Sequence, residues 1–180
     1  MTSSDETVLP EGAVASVARR VGASHAGDPG AAASARVAVV CAKFNGGITA
    51  RLLDGVLAGL GASGVAPEAV TVAWVPGAFE LPLAAQRLAG PGGADAVVAL
   101  GAVIRGDTAH FDFVAGECAS GLGRVALDTG VPVVFGVLTT DTVEQALVRS
   151  GEGPANKGYE AAVTALEMVD LLAGLPGPAR

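Results

Sequence analysis

The chain has 180 residues, 51% of them apolar and 16% charged, with 18 acidic against 11 basic residues and a formal charge of −7. That length suits one domain with one core, and an acidic chain without a lysine or arginine cluster is no natural partner for nucleic acid or an anionic membrane. No window approaches the roughly 18 consecutive apolar residues of a membrane span, so a soluble, cytoplasmic protein is expected, with the apolar surplus covered by other subunits.

Residues 1–35 lack sustained periodicity and end in GDPGAAASA, which reads as a mobile extension with one short helix around 12–21. Arg19-Arg20 does not open an export signal, because His25, Asp28 and Pro29 interrupt the stretch behind it. His25 is expected to be solvated and idle.

RVAVVC (36–41) is the β-branched run of a strand covered on both faces. Ile48, Leu52, Val56 and Leu60, joined by Leu53 and Leu57, form a helical stripe. VTVAWV (70–75) is the second strand, and a helix follows from about Ala78 to Leu88, with Pro82 tolerable in its first turn. DAVVALGAVI (95–104) is the third strand, and the next helix carries Phe111, Val114, Cys118, Leu122 and Val125 on one side.

VPVVFGVLT (131–139) is the fourth strand. Asp141 and Glu144 have capping-box spacing and open a short helix to Ser150, which GEGP ends. A last helix runs from about Lys157 to Leu172, with Ala162, Leu166, Val169 and Leu172 facing inward. The folded unit is placed at 36–175, with 176–180 as a tail. Cys41 and Cys118 lie in apolar segments and read as core thiols, not as a disulfide or metal pair.

Strands alternating with helices pair in parallel through right-handed crossovers. The expected fold is an α/β three-layer sandwich around a four-stranded parallel sheet, with flavodoxin-like topology. Chemistry in such a sheet gathers at the carboxyl ends of the strands. Three polar loops lie there: KFNGG, PGAFE and RGDTAH, after the first, second and third strands.

The amides of Gly106, Asp107 and Thr108, at the positive end of a helix, suit a phosphate or carboxylate. A capped helix start explains the same residues. His110 falls in the first turn of that helix, where an imidazole can move protons near neutral pH. Phe44 is either a ring for stacking or a core plug. Glu80 either complements a helix dipole or accepts from ligand hydroxyls. Arg149 ends a helix that runs back for about ten residues, or about 15 Å, from the RGDTAH pole. To reach the same anion it must come from another subunit; as a cation at a helix C-terminus it needs no ligand at all.

With these pieces in place, residues 36–172 resemble the lumazine synthase family, which acts in riboflavin biosynthesis. The resemblance runs through FNGGIT (44–49), WVPGAFELP (74–82), LGAVIRGDTAHFDFV (100–114), TGVPVVFGVLTTDTVEQAL (129–147) and NKG (156–158). It implies condensation of 5-amino-6-ribitylaminouracil with 3,4-dihydroxy-2-butanone 4-phosphate, with release of phosphate and water and with neither metal nor organic cofactor.

By motif position, the resemblance implies that Phe44 stacks on the pyrimidinedione and that Ala78, Phe79 and Glu80 hold the ribityl chain. Ala102, Val103 and Ile104 contact the ring through backbone groups, Asp107 and Thr108 hold the phosphate, and His110 carries protons. Phe135, Arg149 and Lys157 come from the adjoining subunit of a homo-oligomer, a pentamer or a 60-subunit shell of pentamers, in which N-terminal segments often extend a neighbour's sheet.

Lys43 stands where arginine is common in the family, and Gly46-Gly47 should loosen the loop. GEGPANKG has no long insertion, as in shell-forming members, whereas Pro29 suits free pentamers equally. NKG and WVPGAFELP argue against the related riboflavin synthases of this fold. CAKFNGGI lacks the hydroxyl-rich phosphate loop of a flavodoxin-like binding module. A shell protein with a decayed site would have lost some of Phe44, Glu80, His110 and Arg149, all of which are present.

Overall fold

The structure, a computed structural model, describes residues 9 and 12–176. Its frame is an all-parallel sheet of β1 (Val37–Ala42), β2 (Val70–Val75), β3 (Ala96–Ile104) and β4 (Val133–Thr140), in the order β2-β1-β3-β4. This is the expected α/β sandwich. The two central strands are the ones buried almost throughout, all six positions of β1 and all but Ile104 of β3. The edge strands are partly open, with Val72 and Trp74 exposed on β2 and Phe135 on β4.

Side chains alternate across the sheet. Val37, Val39 and Cys41 enter the core under α2 (Gly46–Ala62) and α6 (Lys157–Gly174). Ala38, Val40 and Ala42 enter the core under α3 (Leu81–Leu88) and α4 (His110–Thr129). The short α5 (Val143–Arg149) follows β4 and places only Ala146 in the core.

The α2 stripe is buried at Ile48, Leu52, Val56 and Leu60, whereas Leu57 faces outward. Gly55 and Gly59 take the place against α6 instead. A Cβ on Gly55 would strike the Asn156 side chain, and one on Gly59 would lie 2.9 Å from the Ala162 methyl. Gly158 of α6 is equally confined by the Leu52 carbonyl. Small residues therefore bring the two helices together, and Asn156 seals the join. Its Oδ1 accepts from Gly158 N at 2.7 Å, capping α6, while its Nδ2 donates to the carbonyls of Gly151 at 2.7 Å and Arg51 at 3.0 Å. On α6, Ala162 and Leu166 are buried and Val169 packs at the core margin, but Leu172 is exposed.

Two local expectations shift. The helix expected from Ala78 begins as a 3₁₀ turn, Ala78–Glu80, before α3. Pro82 has no N–H for the Ala78 carbonyl, which accepts from Leu81 N instead. The cap of α5 is Thr142, not Asp141: Thr142 Oγ1 accepts from Gln145 N at 3.2 Å, and Gln145 Oε1 accepts from Asp141 N at 3.0 Å. The Asp141 carboxylate is engaged by Arg105.

In the N-terminal stretch, helix α1 (Ala13–Ala18) buries nothing. The GAAASA segment packs closely, with Ala32 and Ala35 buried and Asp28 N donating to Asp170 Oδ2 of α6 at 2.9 Å. A composition that reads as linker is here what lets the chain lie flat on a helix. Of the 176–180 tail, only Pro176 is among the described residues.

Candidate active site

A crevice of about 710 Å³ opens at the carboxyl ends of β1, β2 and β3. That volume falls within the usual range for small-molecule sites. Phe44 borders it because the β1–β2 ladder continues past the strands: Lys43 N donates to Val75 O at 2.9 Å and Phe44 N to Pro76 O at 3.1 Å. Asn45 then takes a left-handed turn (φ 56°) and its Nδ2 donates to Ala102 O at 2.8 Å, mooring the loop to β3. The left-handed conformation is one that Asn tolerates better than most residues. The Phe44 ring is 73% exposed, so it is free for stacking and is not a core plug.

The 3₁₀ turn after β2 brings Ala78, Phe79 and Glu80 to the crevice, with Ala78 buried and Phe79 and Glu80 exposed. Glu80 folds its carboxylate back toward Gly77, where Oε2 would stand 3.2 Å from an added Cβ. From β3 come Ala102, Val103 and Ile104, then Gly106, Thr108 and His110. Asp107 does not line the crevice, although its neighbours on both sides do.

The start of α4 is not side-chain capped. Ala109 occupies the cap place, and His110 N meets only Thr108 Oγ1, at 3.4 Å. No acceptor among the described residues takes the amides of Gly106, Asp107 or Thr108. These amides are left without a protein partner at the N-terminal end of α4. Arg105, just ahead of them, donates from Nε to Asp141 Oδ1 at 2.9 Å and from Nη1 to Asp112 Oδ1 at 3.3 Å, and lies 4.1 Å over the Phe111 ring. Hydrogen bonding to Asp141 above all pushes its guanidinium above the ordinary value.

Phe135, Arg149 and Lys157 lie elsewhere, together. They line a second recess of about 350 Å³ along the outer edge of β4, with the end of α5 and the first turns of α6 as its rim. Arg149 Nη1 donates to Gln145 O at 3.0 Å, spending one N–H on the end of its own helix, and none of the described carboxylates forms an ion pair with it. Lys157 Nζ is held by both oxygens of Glu160, at 2.8 and 2.7 Å. The chain thus brings nine of the expected site residues into one crevice and three into another, with Asp107 beside the first.

Sequence reasoning missed Phe113, Asn45 and Glu160. Phe113 lines the crevice and is 69% exposed, and its being out of phase with the Cys118–Leu122–Val125 core stripe was the available signal. No group of three or more His, Cys, Asp or Glu residues suited to a metal exists among the described residues. Cys41 and Cys118 are free and fully buried. None of the described helices is long and apolar enough to cross a membrane.

Comparison with known proteins adds a family. Residues 34–173 match the model of the 6,7-dimethyl-8-ribityllumazine synthase family. The chain is 59% identical over 143 residues to the 6,7-dimethyl-8-ribityllumazine synthase of Edwardsiella ictaluri, covering 79% of this chain and 92% of that one. It is 58% identical over 142 residues to the protein of the same name from Pectobacterium atrosepticum, covering 77% and 90%.

Proposed function

The chain belongs to the 6,7-dimethyl-8-ribityllumazine synthase family, and from that premise we propose how its two recesses carry out the reaction. The enzyme serves riboflavin biosynthesis by a transferase-type condensation. Its substrates are 5-amino-6-ribitylaminouracil and 3,4-dihydroxy-2-butanone 4-phosphate, and each turnover yields the lumazine, one phosphate and two waters. The observation that carries the reading is that a single crevice gathers Phe44, the Ala78–Glu80 turn, Ala102–Ile104, Thr108 and His110 from three strand ends.

In this reading Phe44 stacks on the pyrimidinedione, and backbone groups of Ala102, Val103 and Ile104 fix the ring. Ala78 and Phe79 shape the ribityl channel, and Glu80 accepts from its hydroxyls. The unpaired amides of the turn, Asp107 and Thr108 among them, hold the phosphate at the start of α4. The substrate's own amine attacks the ketone, and loss of water gives an imine. Phosphate then departs, and ring closure with loss of the second water completes the product. Each stage moves a proton, and His110 is the group placed to carry it. Positioning supplies much of the rest.

The crevice lining contains no lysine or arginine, so a departing phosphate lacks a cation there. The recess on the β4 edge has two. Packing that recess of one subunit against the crevice of the next brings in Phe135 beside the ring, Arg149 on the phosphate and Lys157 near it. Unlike surfaces joined head to tail give a closed ring when the rotation from subunit to subunit divides a full turn, and a fifth of a turn gives the pentamer of this proposal, free or assembled with others into a 60-subunit shell. Buried free thiols suit a cytoplasmic setting.

The test is direct. The purified protein, given both substrates and no added metal, should generate the absorbance of the lumazine. No product beyond the uncatalysed background would overturn the reading.

A further inference from the structure

The turn after β3 opens with an arginine to which the proposed chemistry gives no task. Arg105 extends the β3–β4 ladder, its amide donating to Thr140 O at 2.9 Å. Its side chain does not line the crevice. The guanidinium reaches in two directions, to Asp112 in the first turn of α4 and to Asp141 just ahead of the Thr142 cap of α5, and it stacks on Phe111, which does line the crevice.

Phe111 and Val114 pack the inner face of this part of α4 against the core, but its first turn has no side-chain cap. Ala109 offers no side chain to cap it, and the His110 amide has only the 3.4 Å contact to Thr108. A rigid planar fork is suited to joining two carboxylates while lying on a ring face. The same fork ties the helix that bears His110 to the one that ends in Arg149.

We propose that Arg105 is a positioning residue: by bridging Asp112 and Asp141 over Phe111, it fixes the first turn of α4 so that the His110 imidazole meets the reacting atoms at a set place. The inference rests on the role given to His110 under the proposed function. The bridge is half exposed, with 46% of the Arg105 side chain open and the two carboxylate side chains at 62% and 68%. Pairs this open contribute little to stability. Orientation is another matter, because a displacement of about 1 Å costs up to about a hundredfold in rate. Stability and positioning can therefore be separated.

The experiment measures steady-state kinetics and thermal melting of the full-length protein with Arg105→Ala, Arg105→Lys, Asp112→Asn and Asp141→Asn. Arg105→Ala should lower kcat about ten- to a hundredfold, change KM for either substrate by less than about threefold, and melt close to the wild type. Arg105→Lys keeps the charge without the fork and should recover only part of kcat. The two Asn variants should each lower kcat less than Arg105→Ala, and their combination should not exceed it. A kcat for Arg105→Ala within about twofold of the wild type overturns the proposal, as does a loss that tracks the unfolded fraction. If Arg105→Ala does not fold, the near-isosteric Asp112→Asn decides: unchanged kcat overturns the proposal and a lowered kcat at unchanged KM supports it. Absence of product from the wild type would refute the synthase reading instead.

Discussion

His110 and Arg149 of one chain open onto different recesses, the first at the carboxyl ends of β1–β3 and the second along the outer edge of β4. A site needing both must draw them from two copies. Mixing His110→Ala with Arg149→Ala subunits in equal amounts, at a phosphate-substrate concentration where each alone turns over slowly, should therefore restore activity. Random exchange in a head-to-tail ring makes about one site in four intact, whatever the ring size. Activity of the re-assembled mixture is the measurement. No recovery after mass spectrometry has verified exchange would refute a shared site.

The two residues should fail differently when altered alone. His110→Ala removes the proton carrier, and kcat should fall about a hundredfold or more while residual turnover survives through orientation. Arg149→Ala should instead raise KM for the phosphate substrate. Arg149→Lys should resemble Arg149→Ala more than the wild type, because a point charge lacks the fork that grips phosphate. Initial rates with each substrate varied separately distinguish these outcomes.

Burial pushes the Cys41 thiol up to about 12 and that of Cys118 up to about 11. Neither should react with iodoacetamide at about pH 8 in the folded protein, and both should react after denaturation. Labelling counted by mass spectrometry checks this. Because the folded-state values lie above the ordinary 9.0, the neutral-thiol contribution to stability is complete below that pH and is lost as pH rises beyond it.

The Arg36 side chain, by hydrogen bonding, holds the Asp95 carboxyl below its ordinary value of 3.8. A lowered carboxyl stabilises the fold above that pH and loses its effect as pH falls through the folded-state value. Asp95→Asn should therefore melt slightly lower than the wild type at about pH 7, with the gap closing under strong acid. The gap is small because the pair is 55% and 39% exposed at its two side chains. Melting curves across the acid range test both sign and size.

Much of this arrangement was legible in the residues. Strand runs, helix stripes and the three polar loops came from periodicity, which reports burial directly, and the 70–75 strand needed no adjustment. The separation of Arg149 from the RGDTAH pole came from helix rise alone. What escaped the sequence was decided by neighbours distant in the chain. Leu57 turns outward because Gly55 and Gly59 meet α6. Asp141 yields the cap to Thr142 because Arg105 takes its carboxylate. Asn45 became visible as a mooring only once β3 lay beside its loop.

The α2–α6 join carries a consequence for how this protein can change. Gly55, Gly59 and Gly158 leave no volume for one more methyl, and Asn156 has every polar atom of its amide engaged. A seam without slack cannot drift in small steps, since each single replacement collides before a compensating one can arrive. Novelty in substrate or assembly is thereby steered to the strand-end loops and the open β4 margin, while the back of the molecule is inherited as a fixed template.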